Sequence, residues 1–516
     1  MKLITLLILT VAQTAFAQHP RDLVSSDALA VFSIKDGATI NKTIKSIKQK
    51  SGLDYPDKGV SEILSQFIKN HTAVDVSEEI LFVIEPEISG IGLKLTGMFG
   101  SMPHLVLICK PKEGSELEIV PYSGVNSSTM HEGWFIASGS NNWTPPALEG
   151  LSPILSKLPA GQSGAFIKFD KLWSLLGPMV QMTGGVLIGQ RNKPGPKGVI
   201  EPETRKQTAA MSRAFRQVMK YCSKIESITA SASIVGSDLE TEVALALKNA
   251  EEGTIDNSSL SEMASRLAAG NVLQYAMSED FTKFLLQFQI ESLISTKSGG
   301  SYLIPVLRGM RELVDIQGDN VVAYGLDNSS GFTITALAET PDTEAYLARV
   351  PAMINKLSEQ FKEDRGMQFT PMDESPTMWK VNLVGGDLVV AMMRVVFPKD
   401  TFLVFSDIGS MVSFSFGPES LHQFADGNNQ TRLTRTIDAR DDISIDFAMS
   451  VDARKWAFGV MSLTTPSENL PTSKIHSSPS AQTNIVIGAD TSGFVLDLKM
   501  DLLGFAKLIG DLENSH

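Results

Sequence analysis

The chain has 516 residues, 43% of them apolar and 20% charged, with a net charge of −13. That balance excludes an intrinsically disordered chain, and the acidic surface excludes a nucleic-acid binder and disfavours docking on anionic lipid. Two cysteines, Cys109 and Cys222, exclude a disulfide-dense scaffold and a four-thiolate zinc site.

The N-terminus reads as an export leader. Lys2 supplies a positive start, Leu3 to Val11 is apolar apart from Thr5 and Thr10, and Ala15-Phe16-Ala17 is a small-x-small site before Gln18. The apolar run is shorter than the roughly 20 residues a spanning helix needs. Residues 1–17 are therefore read as a signal peptide cleaved near Ala17-Gln18. No cysteine follows the site to carry a lipid anchor.

Four places along the chain then show an apolar, aromatic-bearing strand running into an acidic residue and a helix-like segment. They are Val31 to Asp36, Ala165 to Asp170, Gln274 to Asp280 and Asp446 to Asp452. Alternating side chains predict strands, and Asp36, Asp170, Asp280 and Asp452 are read as caps of the helices that follow. After Asp280, for example, Phe281, Phe284, Leu285 and Phe288 recur at helical spacing.

Paired strands joined by polar turns recur further on. Ile228–Ser233 with Glu242–Leu247, Val321–Leu326 with Phe332–Leu337, and Ile485–Ala489 with Phe494–Leu498 are predicted antiparallel hairpins. Ile80–Ile84 and His104–Cys109 form a looser pair across a longer apolar excursion. The segments 184–203 and 464–481, rich in Gly, Pro or Ser, are expected to be loops. A polar break at 249–261 separates two halves.

Neither of two further apolar stretches qualifies as a membrane span. Val384 to Phe397 carries Asp387 and Arg394, and Leu81 to Pro103 carries Glu85, Glu87 and Lys94. One such charge at the bilayer centre costs roughly 2.5–3.5 kcal/mol. No transmembrane segment is expected in the mature chain.

No motif in the sequence assembles a chemical site. Gly161-Gln162-Ser163-Gly164-Ala165 lacks the second glycine of a nucleophile elbow and precedes a strand instead of following one. His131-Glu132 does not open a zinc motif, because Phe135 stands where the second histidine belongs. Gly90 to Gly97 has the wrong spacing for a dinucleotide loop, and Asp438 to Asp442 lacks the glycine and terminal glutamate of a calcium loop. The five tryptophans are spread along the chain, with Trp173 and Trp456 placed under the helices that follow their aspartates. No catalytic, cofactor-binding or metal-ligating residue is assigned. Seven Asn-x-Ser/Thr sequons begin at Asn41, Asn70, Asn126, Asn142, Asn257, Asn328 and Asn429. Cys109 and Cys222 remain open to pairing or to standing as two free thiols.

The leader, the strand–Asp–helix units and the antiparallel hairpins, with Phe447 to Asp452 and Trp456 as the most recognisable piece, resemble uncharacterised exported bacterial proteins of the domain-of-unknown-function type. Such families carry no established catalytic residues, so the resemblance implies none at any position here.

The expected fold is α+β, in two similar domains at 18–250 and 262–516. Each is an antiparallel-rich sheet with helices packed on one face. The expected function is an exported, non-catalytic binding or scaffold protein, periplasmic or extracellular, whose partner is another envelope or secreted protein. The rival expectation is a secreted hydrolase with dispersed catalytic groups in a cleft between the halves.

Overall fold

The computed structural model describes residues 19–53, 59–86, 104–120, 125–141, 152–191, 202–248, 255–267, 271–295, 316–327, 331–365, 367–373, 375–384, 400–418, 424, 430–464 and 481–513. The chain divides into two compact units: residues 1–179 with 222–249, and residues 180–221 with 250–516.

The first unit is built on eight strands: β1 (Ala30–Ile34), β2 (Ile80–Glu85), β3 (His104–Cys109), β4 (Ser127–His131), β5 (Trp134–Ser138), β6 (Ser163–Ile167), β7 (Ile225–Val235) and β8 (Asp238–Leu247). They pair in the order β8-β7-β6-β1-β2-β3-β5-β4, every pair antiparallel among the described residues. Helices α1 (Gly37–Ser51) and α2 (Val60–Ser65) follow β1. The longer α3 (Phe169–Arg191) follows β6 and starts in this unit, while its residues from Val180 on, and α4 (Pro202–Cys222) up to Tyr221, are counted with the second.

β2, Ile-Leu-Phe-Val-Ile-Glu, has no polar side, and the structure shows why. Leu81 and Val83 join one core with Val106, Ile108, Trp134, Ile136 and Phe166, covered by Leu23, Val24, Ile154 and Leu155. Ile80 joins the other with Leu107, Cys109, Phe135 and Ala137, covered by Val60 and Leu64 of α2, and Phe82 packs against it. A sheet buried on both faces needs a continuous apolar run instead of an alternating one. Helix α2 lies on one of these faces, and short 3-10 turns and loops after Pro20 and around Leu155 close the other.

The second unit has ten strands among the described residues: β9 (Leu273–Met277), β10 (Asn320–Asp327), β11 (Gly331–Glu339), β12 (Met367–Met372), β13 (Ser375–Leu383), β14 (Phe402–Ile408), β15 (Met411–Gly417), β16 (Ser444–Asp452), β17 (Gln482–Ala489) and β18 (Gly493–Asp501). Their order is β18-β17-β16-β9-β10-β11-β15-β14-β13-β12, and these pairs too are antiparallel. β9 stands between β10 and β16 as β1 stands between β2 and β6. The hairpin β12–β13 is an addition beyond β14.

Helices α5 (Ser258–Ser265), α6 (Glu279–Ser295), α7 (Thr343–Arg365), α8 (Arg432–Asp438), α9 (Ala453–Thr464) and α10 (Leu502–Glu513) accompany this sheet. Here too both faces are used. The Gln274 side chain accepts from the Leu433 amide of α8 at 3.4 Å, while its neighbour Tyr275 points the opposite way, toward α6. Successive strand residues face opposite sides, so α8 and α6 lie on opposite faces of the sheet, which corrects for this unit the expectation of helices on one face.

Candidate functional site

The four aspartates read as caps have separate local tasks. Asp36 caps α1 through the Thr39 amide at 2.9 Å, and Asp452 caps α9 through the Lys455 amide at 3.2 Å. Asp170 and Asp280 correct the expectation. Each is the second residue of its helix, and at α6 it is the Ser278 hydroxyl that accepts from the Phe281 amide, at 3.2 Å. Both helices start before the acid, which leaves Asp170 and Asp280 in the first turn, where they favour the positive dipole end.

Several polar groups singled out in the sequence are also structural. Ser163 opens β6 and donates to the Ala232 carbonyl at 3.2 Å. His131 and Trp134 flank a hairpin turn in which Glu132 and Gly133 have φ of 47° and 84°. Asn257 accepts from the Ile445 amide at 2.9 Å and donates to the Ile443 carbonyl at 2.8 Å. Asn41, Asn70 and Asn126 likewise bond backbone groups; Asn142, Asn328 and Asn429 lie outside the described residues. Cys109 and Cys222 are free thiols, and burial pushes the Cys109 thiol up to about 12, which removes it from thiolate chemistry at neutral pH.

Two buried ionic clusters hold segments in place. Arg21 grips Glu79 with two bonds, at 2.9 and 3.0 Å, and Ser33 donates to the same carboxylate. Asp452, 1% exposed, takes Arg432 at 3.0 Å. Arg432 also lines a basic hollow of about 320 Å³ with Arg435, Arg440 and Lys499. Arg440 there is bound to Asp442 and Asp497, and Arg435 donates to the Thr431 carbonyl at 3.4 Å, so these cations already serve the fold.

The feature with the form of a binding site lies in the second unit, between the sheet and helices α6 and α7. It is a cavity of about 430 Å³ with a predominantly apolar lining. That is within the size range of small-molecule sites, which are mostly apolar with a few placed polar groups. Its floor is the face of the sheet carrying Tyr275 and Met277 of β9, Val322 and Tyr324 of β10, Ile334, Ala336 and Ala338 of β11, and Phe405 and Phe414 of β14 and β15. Its roof is Leu285 and Leu286 of α6 with Tyr346 and Met353 of α7. Ala336 and Ala338 help create the space, because small side chains stand on the floor where larger ones would fill it.

Polar groups are few and fixed. The Tyr275 and Tyr324 hydroxyls lie 3.3 Å apart, and Thr282 accepts from the Asn320 amide at 2.7 Å. Burial, with the neighbouring Tyr324 hydroxyl, pushes the Tyr275 phenol up, and burial pushes Tyr346 up to about 12. These phenols stay protonated at neutral pH, so they can offer hydrogen bonds and not a charged nucleophile. Rings at Tyr275, Tyr324, Phe332 and Phe447 pack at centroid distances of 5.7 to 6.3 Å. No sequence motif marks any of these residues; the sole signal was the apolar alternation of β9, β10 and β11, which reads the same for a filled core.

No family model matches the chain, and no curated protein matches it. Among solved structures it is similar to crystal form III of TP0453, with 9% identity and a TM-score of 0.22 over 50% of this chain and 99% of that one. Crystal form I gives 10% and 0.21 over 51% and 99%, and form IV 10% and 0.23 over 50% and 97%. Scores this low define no shared fold, and no property is carried over from them.

Proposed function

We propose that the protein is an exported, non-catalytic binding protein of the cell envelope, released by cleavage near Ala17-Gln18, whose ligand is an apolar small molecule of lipid class held under α6 and α7. The observation that carries this is the apolar cavity walled by Tyr275, Ala336, Leu286 and Phe414. Its aromatic and aliphatic lining favours a hydrocarbon chain through burial of apolar surface, worth about 25 cal/mol per Å². The paired hydroxyls of Tyr275 and Tyr324 offer a hydrogen-bonding point for one polar end of the ligand.

The matching neighbour relations of β1 with β2 and β6, and of β9 with β10 and β16, support a further reading, that the halves descend from one strand–helix–hairpin plan. On that reading the first copy serves the fold and the second took on the ligand.

The test is native mass spectrometry of the protein purified without denaturant from its own envelope fraction. A discrete apolar adduct on the wild type, absent from Ala336→Leu, supports the assignment. Its loss from the wild type as well, or its retention in Ala336→Leu, overturns it. The intact mass reports the cleavage: a chain beginning at Gln18 is expected, and an uncleaved one contradicts export by this leader.

A further inference from the structure

Helix α3 departs from the rule that a long helix buries one face. Between Lys171 and Arg191 its sequence carries no charged residue. Phe169–Gln190 is long and apolar enough to cross a membrane, yet 6% of its most apolar stretch is buried. At about 1.5 Å per residue the helix is about 34 Å long, against roughly 30 Å of bilayer hydrocarbon. Gly184-Gly185, read in the sequence as the start of a loop, lies inside the helix.

Its two sides differ. Trp173, Gly177, Gly184 and Ile188 fall on one line and are among the less exposed residues, with the ring of Phe215 from α4 filling the space beside Gly184. Leu175, Leu176, Val180, Met182, Val186 and Leu187 are exposed, by 36% to 58%. At about 100° per residue they cover an arc of about 160° that begins beside Trp173 and runs away from the line, with the half-buried Leu172 and Met179 and the exposed Thr183 within it. This is a continuous apolar face, not a scatter of single exposed residues.

The neighbouring helix indicates what covers it. Within Pro202–Cys222 the sequence has Arg205, Lys206, Arg213, Arg216 and Lys220 against Glu203 alone. A run this basic in a chain of net charge −13 reverses locally the repulsion from anionic surfaces that the whole chain predicts. An apolar helix face beside exposed cations is the composition of an element lying in the interface of an anionic bilayer. A second copy of this chain fits less well, since pairing the faces would bring two basic helices together.

We propose that α3 and α4 form a membrane-docking pair, with Leu176, Val180, Met182, Val186 and Leu187 among acyl chains and the arginines of α4 on anionic headgroups. This stands apart from the cavity in the second unit, and substitutions in that cavity leave it unchanged.

The test is co-sedimentation of the full protein with vesicles of phosphatidylcholine alone or mixed with phosphatidylglycerol, at low and high salt. Wild type is expected on the anionic vesicles, with binding reduced by salt. Met182→Glu/Val186→Glu, at exposed positions with the same N-terminus and an unchanged melting temperature, is expected to abolish it. Arg205→Gln/Arg213→Gln is expected to raise the lipid concentration for half-binding by roughly tenfold or more. Equal binding by wild type and both variants, or binding by none, overturns the proposal. So does a concentration-dependent dimer that Met182→Glu/Val186→Glu dissolves, because the face would then be covered by a second copy.

Discussion

Phe32, Phe82 and Leu107 stand side by side across β1, β2 and β3. Tyr275, Val322 and Ala336 hold the same pairing positions across β9, β10 and β11. In the first unit the row ends on a fully buried leucine and the space above it is filled by α2 and Phe67. In the second, the leucine's place is taken by alanine, an aromatic has gained a hydroxyl, and a cavity opens under α6 and α7. One plan of backbone pairing thus gives either a packed core or an open cavity, and the choice rests on side-chain volume at one or two strand positions. Interiors are close-packed by default, so an unfilled apolar space requires such a change.

The largest effect comes from exchanging those positions. Leu107→Ala should cost about 2–5 kcal/mol, the range for a leucine deleted from a filled core. Ala336→Leu should stay within about 1 kcal/mol of wild type, because the added carbons enter existing space. Urea denaturation of both variants measures this; equal losses would show that the two rows are packed alike.

The two aspartate caps sharpen the comparison at a smaller scale. Asp452→Ala removes a cap and leaves Arg432 without its buried carboxylate, which should cost about 2–3 kcal/mol. Asp36→Ala removes a cap alone, for about 1 kcal/mol. Thermal melts of the pair should separate by several degrees, with the Asp452 variant lower.

The smallest effect is on pH dependence, where the units differ in sign. Burial pushes the Glu79 carboxyl up, but hydrogen bonds from Arg21 and Ser33 and the charge of Arg21 outweigh it and hold the folded pKa below the ordinary range. Its contribution is complete above the unfolded pKa of about 4.3 and is lost as pH falls through the folded value. Burial, with Asp280 nearby, pushes Asp446 up against the Ser278 hydrogen bond. Its ionisation therefore costs stability as pH rises from about 3.9 through the raised folded value. In melts between about pH 3 and pH 7, Glu79→Gln should flatten the acid loss, while Asp446→Asn should stabilise at about pH 7 and change nothing at about pH 3.

How far each element could be read from the sequence depends on how local its signal is. The hairpins were legible because turn residues such as Gly236, which takes φ of 66°, and Asp490, which accepts from the amides of Ser492 and Gly493, act within a few residues. The caps were half legible: an acid after a strand places a helix start to within two residues, and Ser278 supplied the bond assigned to Asp280. The cavity was hidden. Ala336 in a strand is unremarkable until Phe414 beside it and Leu286 above it are known, and Phe414 stands far along the chain. The apolar face of α3 was obscured by its own glycines, which weaken a helix signal by about 1 kcal/mol each and read as a loop.

The most direct test of the ligand chamber is a fluorescence titration of the delipidated protein with cis-parinaric acid, an apolar chain that brightens when bound. Saturable binding near one equivalent is expected for wild type and at least about a tenfold weakening for Ala336→Leu, with both proteins melting at similar temperatures. Equal titrations by wild type and Ala336→Leu, or no saturable binding by either, would contradict it.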